Sequence, residues 1–295
     1  MEVRDLRALL AVVRCGSFTV AARQLGFTQS AVSQQVASLE AELGQLLVER
    51  RPVRPTAAGR RLAEHAAQVL LRLDVASSEL ARFRQRPGAV KVALSPLASP
   101  QLLAVALRSV RSQSPDLKVS VKSVVATEAI NLLASGAVDA ALVDGITGPS
   151  EPLHLSGTGL LTSRWVAQAP LVVALQRGHP LAARPEISLE VLADAPWLVA
   201  PALLEGGATR RHQGASWKEP VLYEGADLGT LLKLVGAGLG AALLPDWAVE
   251  GDDSVTGAPL SGARLVHRTE LLTLRTDGAG QNPVIEAVLA LSRRV

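Results

Sequence analysis

One cysteine, Cys15, stands in 295 residues, so no disulfide framework can hold this chain together. It ends an apolar helical run and reads as a small buried hydrophobe. Aromatic residues make up only 3% of the sequence, which leaves Ala, Val and Leu to fill the core of an α/β protein. The five histidines (His65, His154, His179, His212 and His267) are scattered, with no His-x-x-x-His pair and no cysteine near them. That excludes the usual zinc spacings, and no metal or cofactor is expected. Neither a phosphate-binding P-loop nor a Gly-x-Ser-x-Gly elbow occurs. Gly236-Ala237-Gly238-Leu239-Gly240 fails the dinucleotide fingerprint, because Ala241 holds the third glycine position. The motifs of common enzymes are therefore missing, and the chain is expected not to be an enzyme. No uncharged apolar run reaches about eighteen residues, and Met-Glu-Val-Arg-Asp carries no signal-peptide pattern. The expected location is the cytoplasm, away from membranes.

Lysine is missing from the first 86 residues, yet that segment is basic. It holds thirteen arginines against eight acidic residues, whereas the remainder has seventeen basic and nineteen acidic ones. A basic front end on a near-neutral body points to a polyanion partner for the front end.

Three zones follow along the chain. In the first, Leu6, Leu9, Leu10 and Val13 fall at helical spacing, and Ser17 can cap a second helix that carries Ala21, Ala22 and Leu25 inward. Gly26 ends it. Thr28 caps a third helix, in which Val32, Val36, Leu39 and Leu43 share one face. A short basic hairpin-like stretch, Val48 to Thr56, comes next. In the second zone Leu62, Ala66, Val69, Leu73, Ala76, Leu80 and Phe83 alternate spacings of four and three, a heptad seam without a partner seam elsewhere in the chain. A helix of that length spans roughly 40 Å and predicts pairing with a second copy. In the third zone, strand-like runs at Val90–Leu94, Lys118–Val125, Ala140–Val143, Leu171–Leu175, Trp197–Ala200, Val221–Tyr223, Ala241–Leu244 and Leu271–Arg275 alternate with helical runs. That alternation predicts two α/β subdomains with mostly parallel sheets. Their ligands sit at the carboxyl ends of strands and between subdomains.

Two short helices around a glycine-containing turn fit a helix-turn-helix, whose second helix enters the DNA major groove. With Val32, Val36 and Leu39 turned to the core, Gln29, Ser30, Ser33 and Gln34 turn outward at the helix's N-terminal end. Solvated helix faces normally carry Glu and Lys. A Gln/Ser row suits base edges instead, since Gln pairs with adenine and Ser serves either base. Thr28 and the helix N-terminus suit a phosphate. Arg50, Arg51 and Arg54 in the hairpin suit phosphates or a minor groove, and Thr56 at its end is expected to join them on the DNA.

These residues resemble the winged helix-turn-helix of the LysR-type transcriptional regulators. Ser17-Phe18-Thr19, Ala21-Ala22, Leu25, Thr28 to Ser33, Leu39-Glu40 and Leu43-Gly44 match the family run nearly throughout, and Thr56–Gly59 matches the end of its wing. "GAVDAAL" at Gly136–Leu142, "GHPLA" at Gly178–Ala182 and "VGAGLGAALLP" at Val235–Pro245 resemble the family's effector domain. Gln34 stands where many members carry Arg, and Val48 where Phe is common. The resemblance implies an all-α winged helix-turn-helix with a long linker helix, then two α/β subdomains of periplasmic-binding-protein type. Drawn on this chain, residues 1–58 form the DNA-binding domain, 59–87 the dimerisation helix and 88–295 the effector domain. Subdomain 1 covers about 88–162 and 269–295, and subdomain 2 about 163–268. The implied function is sequence-specific binding of double-stranded DNA, modulated by a small molecule in the cleft between subdomains, in a homodimer or homotetramer.

In similar proteins that cleft is lined by the loop after the first strand, by helix N-termini and by crossover segments. The matching positions are Ser95, Pro96, Thr127, Glu128, Ala200, Pro201 and Asp227. Capping alone also explains Thr127 and Asp227. A second reading stays open at this stage: a DNA-binding protein without an effector, whose α/β domain serves only oligomerisation.

Overall fold

The computed structural model describes residues 1–82, 89–155, 161–192, 195–203, 221–262, 264–274 and 282–293. The chain divides into two compact units, Met1–Arg84 and Gln85–Val295.

The first unit is built from α1 (Val3–Cys15), α2 (Phe18–Leu25), α3 (Gln29–Leu43), a hairpin of β1 (Val48–Arg50) and β2 (Val53–Pro55), and α4 (Ala57–Arg82). Ser17 accepts from the Val20 amide at the start of α2, and Thr28 accepts from the Ala31 amide at the start of α3. Glycines 16, 26 and 44 close the three helices in the left-handed conformation. Leu9, Val12, Val32, Val36 and Leu39 are fully buried in one core with Ala21, Leu47, Ala66 and Leu70. Each such Leu or Val contributes about 1.5–3 kcal/mol by leaving water.

The heptad seam of α4 divides in the structure. Ala63, Ala66 and Leu70 are buried and Leu62 packs on the same core, so this stripe belongs to the chain's own first unit. Val69 and Leu73 are 47% and 42% exposed, and Ala76 is exposed too. Ala66 and Leu62 thus leave the expected pairing seam, because the helix needs one face to hold α1. The side chain of Leu80 and all of Phe83 lie outside the described residues.

The second unit carries an eight-stranded sheet. Its strands are β3 (Ala89–Leu94), β4 (Lys118–Ser123), β5 (Ala140–Thr147), β6 (Leu161–Gln176), β7 (Ile187–Ser188), β10 (Ala242–Pro245), β11 (Val255–Ser261) and β12 (Val266–Leu274). They run in the order β4-β3-β5-β12-β6-β11-β7, with β10 also on β6. β8 (Leu198–Val199) and β9 (Val221–Leu222) make a separate parallel pair. The sheet is mixed, not mostly parallel. β3 pairs parallel with β4 and β5, while β12 and β6 join antiparallel to their neighbours. β6 and β12 are also longer than their apolar runs suggest. β6 has 16 residues, and its first half pairs with β12 and its second half with β10 and β11.

Helices α5 (Pro100–Gln113), α6 (Ala126–Ala134), α7 (Leu228–Gly236) and α8 (Pro283–Ser292) complete the unit. α5 and α8 pack with β3, β5 and β12 through Leu103, Ala106, Val110, Val284, Ile285 and Val288. A second cluster joins α7 to β10 through Leu231, Leu232, Val235 and Leu244. Gly240 lets the chain pass close to its neighbour, since a Cβ there would lie 2.9 Å from the Pro196 carbonyl oxygen. That contact accounts for the last glycine of the Gly236–Gly240 run without any nucleotide.

Candidate nucleic-acid interface and effector site

α3 presents what its sequence pattern predicts. Gln29, Ser30 and Gln34 are exposed and Ser33 is half-exposed, while Val32, Val36 and Leu39 on the opposite side are fully buried. The hydroxyls already have local work. Thr28 Oγ1 accepts from the Ala31 amide at 3.2 Å and lies 3.0 Å from Ser30 Oγ. Ser33 Oγ accepts from Arg50 Nη1 at 2.8 Å.

The wing places its three arginines differently. Arg51 and Arg54 are exposed at and beside the hairpin turn, where the Arg51–Pro52 peptide is cis. Arg50 instead reaches across to α3. Its guanidinium bonds Ser33, lies 3.7 Å from Glu40 Oε2, and sits 5.5 Å above the Phe18 ring. Glu40 in turn accepts from the Leu47 and Val48 amides at 2.9 and 3.1 Å. Thr56 is a cap. Its hydroxyl donates to the Leu46 carbonyl at 2.7 Å and accepts from the Gly59 amide at 3.0 Å. Phe27, just before Thr28, is 55% exposed beside the Gln/Ser face of α3, an apolar group that periodicity reasoning missed.

The expected effector residues meet mixed circumstances. Ser95 is buried, not open to a ligand. Its hydroxyl donates to Asp144 Oδ1 and accepts from the Asp144 amide at 3.0 Å. Asp144 Oδ2 lies 2.9 Å from His267 Nε2, and the Trp247 ring meets that imidazole edge-on at 6.3 Å. The carboxylate stands between hydroxyl and imidazole, which is not the nucleophile–base–carboxylate order of a hydrolytic triad. Two residues on, Leu97 belongs to the same core as Ala200 at the end of β8. Pro96 is half-buried and Pro201 exposed. Thr127 does not cap α6, because Val125 holds that position and Thr127 sits inside the first turn. Glu128 pairs with Lys122 at 2.8 Å. Asp227 caps α7 by accepting from the Thr230 amide at 2.6 Å, and the Thr230 side chain, with that amide second, holds its carboxyl below the usual range.

Ser99, absent from the sequence expectations, lies in the same loop. It alone among the described non-glycine residues has a left-handed backbone, with φ 41°. It opens α5 ahead of Pro100, and its hydroxyl makes no capping bond. Strain of this kind gathers at ligand-binding positions. Ser-Pro before an apolar helical run was the available signal. Among the described residues, no group of His, Cys, Asp and Glu could hold a metal ion, and no helix is long and apolar enough to cross a membrane.

A wing beside an exposed helix, followed by a long helix and an α/β unit with several cores, defines a winged helix-turn-helix regulator with an attached ligand-binding module. Comparison with known proteins makes this specific. Residues 3–60 match the bacterial regulatory helix-turn-helix protein model of the lysR family, and residues 83–295 match the LysR substrate binding domain. The chain belongs to the LysR family of DNA-binding transcriptional regulators with an effector-binding domain. It is 34% identical to a "probable hydrogen peroxide-inducible genes activator" of Mycobacterium avium, over 84% of this chain and 78% of that one. It is 31% identical to the regulator MetR of Escherichia coli K12, over 99% and 90%. Among solved structures it resembles a Corynebacterium glutamicum OxyR C206 mutant, with 25% identity, a TM-score of 0.56 and coverage of 99% and 91%.

Proposed function

We propose that this chain controls transcription by laying α3 in the major groove of double-stranded DNA, with the wing on the flanking backbone. The observation that carries this is the face of α3: exposed Gln29, Ser30 and Gln34 opposite a fully buried Val32, Val36 and Leu39. Gln29 and Gln34 suit adenine, and Ser33 suits a base acceptor. Arg51 and Arg54 supply phosphate contacts. Two chains pair through Val69, Leu73 and Ala76 of α4, which places two reading helices on two half-sites. The protein works in the cytoplasm and is not an enzyme. Replacing Gln29 by Ala should weaken binding to a selected duplex by about 1–3 kcal/mol and relax its base preference. Replacing Arg54 should weaken all duplexes alike and lower the salt slope by about 0.9. Unchanged binding of both variants would remove α3 from the groove.

The effector site of this reading is the surface that Pro96 and Ser99 share with the start of α5, not the buried Ser95. Its support is the strained Ser99 and its uncommitted hydroxyl at a helix N-terminus, which suits an anionic or acceptor group. A thermal-shift screen with small carboxylates and amines tests it. Ligands that raise the melting temperature of the parent but not of Ser99→Ala support the site. Ligands that stabilise parent and Ser99→Ala alike would remove Ser99 from the site.

A further inference from the structure

Arg50 is one of three wing cations that the basic pattern offers to phosphate, yet the structure turns it toward α3, with its side chain 49% exposed. Its guanidinium bonds Ser33 at 2.8 Å, approaches Glu40 at 3.7 Å, and lies over the buried Phe18 ring at 5.5 Å. Ser33 and Glu40 are seven residues apart, two turns along one face of α3. Arg50 therefore clamps the wing to the helix at two heights, beside the Glu40 bonds to Leu47 and Val48. A guanidinium only donates, so Ser33 must accept from it, and the one hydroxyl proton of Ser33 remains for another acceptor.

We propose that Arg50 is a positioning residue for base selectivity: it fixes the wing against α3 and turns Ser33 into a hydrogen-bond donor toward the DNA. The group it selects is an acceptor on a base edge, such as a purine N7, guanine O6 or thymine O4. The assignment rests on the placement of α3 in the major groove proposed above. It differs from that reading in removing Arg50 from the phosphate contacts.

The test uses the full chain and a duplex that the parent selects from a randomised pool, with every single-base variant of that duplex. Arg50→Ala, Arg50→Lys, Ser33→Ala and the double variant are compared at several salt concentrations, with melting temperature recorded for each. Lys keeps the charge but cannot fork between Ser33 and Glu40. The expected result is that Arg50→Lys and Arg50→Ala both lose about tenfold or more in preference at one base position. Ser33→Ala should lose preference at that same position, with no further loss in the double variant. The salt slope should stay at the parental value. A near-parental Arg50→Lys, with Arg50→Ala weakening all duplexes and lowering the slope by about 0.9, would make Arg50 a phosphate contact and overturn the proposal. Additive losses at different base positions would overturn it as well. Gln29→Ala is the control: if it leaves preference unchanged, the placement of α3 fails rather than the role of Arg50.

Discussion

Gly59 has no room for a side chain. A Cβ there would fall 1.9 Å from the Leu47 carbonyl oxygen, which is backbone and cannot swing aside. Gly59→Ala should therefore push α4 off the wing and destabilise the first unit by about 1–3 kcal/mol, read as a shift in urea midpoint. Thr56 acts at the same junction, since its hydroxyl ties the Leu46 carbonyl to the Gly59 amide. The Thr56–Gly59 pair was legible as a motif, but its purpose was not. The Leu47 carbonyl that explains it comes from a turn twelve residues earlier. Ser33 and Arg50 show the same limit, because a helix face and a basic hairpin could each be read but not the bond between them. Asp252 gives a pH-dependent test. It accepts from the Ser254 hydroxyl at 2.5 Å and amide at 2.9 Å, and from Lys233 at 3.0 Å. These bonds hold its carboxyl down to about 2, from an ordinary 3.8. A carboxyl lowered by folding adds stability that is complete above its ordinary value and is lost as pH falls through the folded one. Its NMR titration should centre near 2, and Ser254→Ala should return it toward the ordinary range.

α4 is one helix with two apolar stripes. Ala63, Ala66 and Leu70 face the chain's own core, and Val69 and Leu73 face outward. Ala66→Glu should unfold the first unit, because it would bury a charge without a partner. Leu73→Glu should leave that unit folded, as judged by circular dichroism, and shift sedimentation toward the single chain. Periodicity located this helix but merged its stripes, since spacing carries no record of which stripe meets the same chain. β6 was read from its apolar half alone. Thr162 to Pro170 carries Ser, Arg, Trp and Gln that stay partly or fully exposed, and this stretch is a strand because β12 lies alongside it. β11, with Gly257 and Pro259, was missed for the same reason: its pairing with β6 comes from afar. The caps at Ser17, Thr28 and Asp227 were legible because capping is a local bond, while the one expected at Thr127 falls to Val125.

At the scale of the whole chain, a relative named for hydrogen peroxide invites the question of a redox switch. This sequence holds one cysteine, in α1, whose thiol donates to Gln24 at 3.2 Å. A switch that closes a disulfide within the chain needs two. Cys15→Ser should therefore keep both selective DNA binding and any thermal response to a small ligand, measured side by side with the parent. Ligand sensing then falls to the α/β unit, and β6 decides how it travels there. Val166 lies in the core with α5 and α8, while Val173, Ala174 and Leu175 lie in the two cores beyond. At about 3.3 Å per residue, this one strand spans roughly 50 Å of sheet. It changes partners between Pro170 and Leu171, where a proline cannot supply a ladder amide. In mechanical terms β6 is a continuous tie that joins these cores without a hinge loop, and Pro170 marks the one place along it where the ladder changes hands.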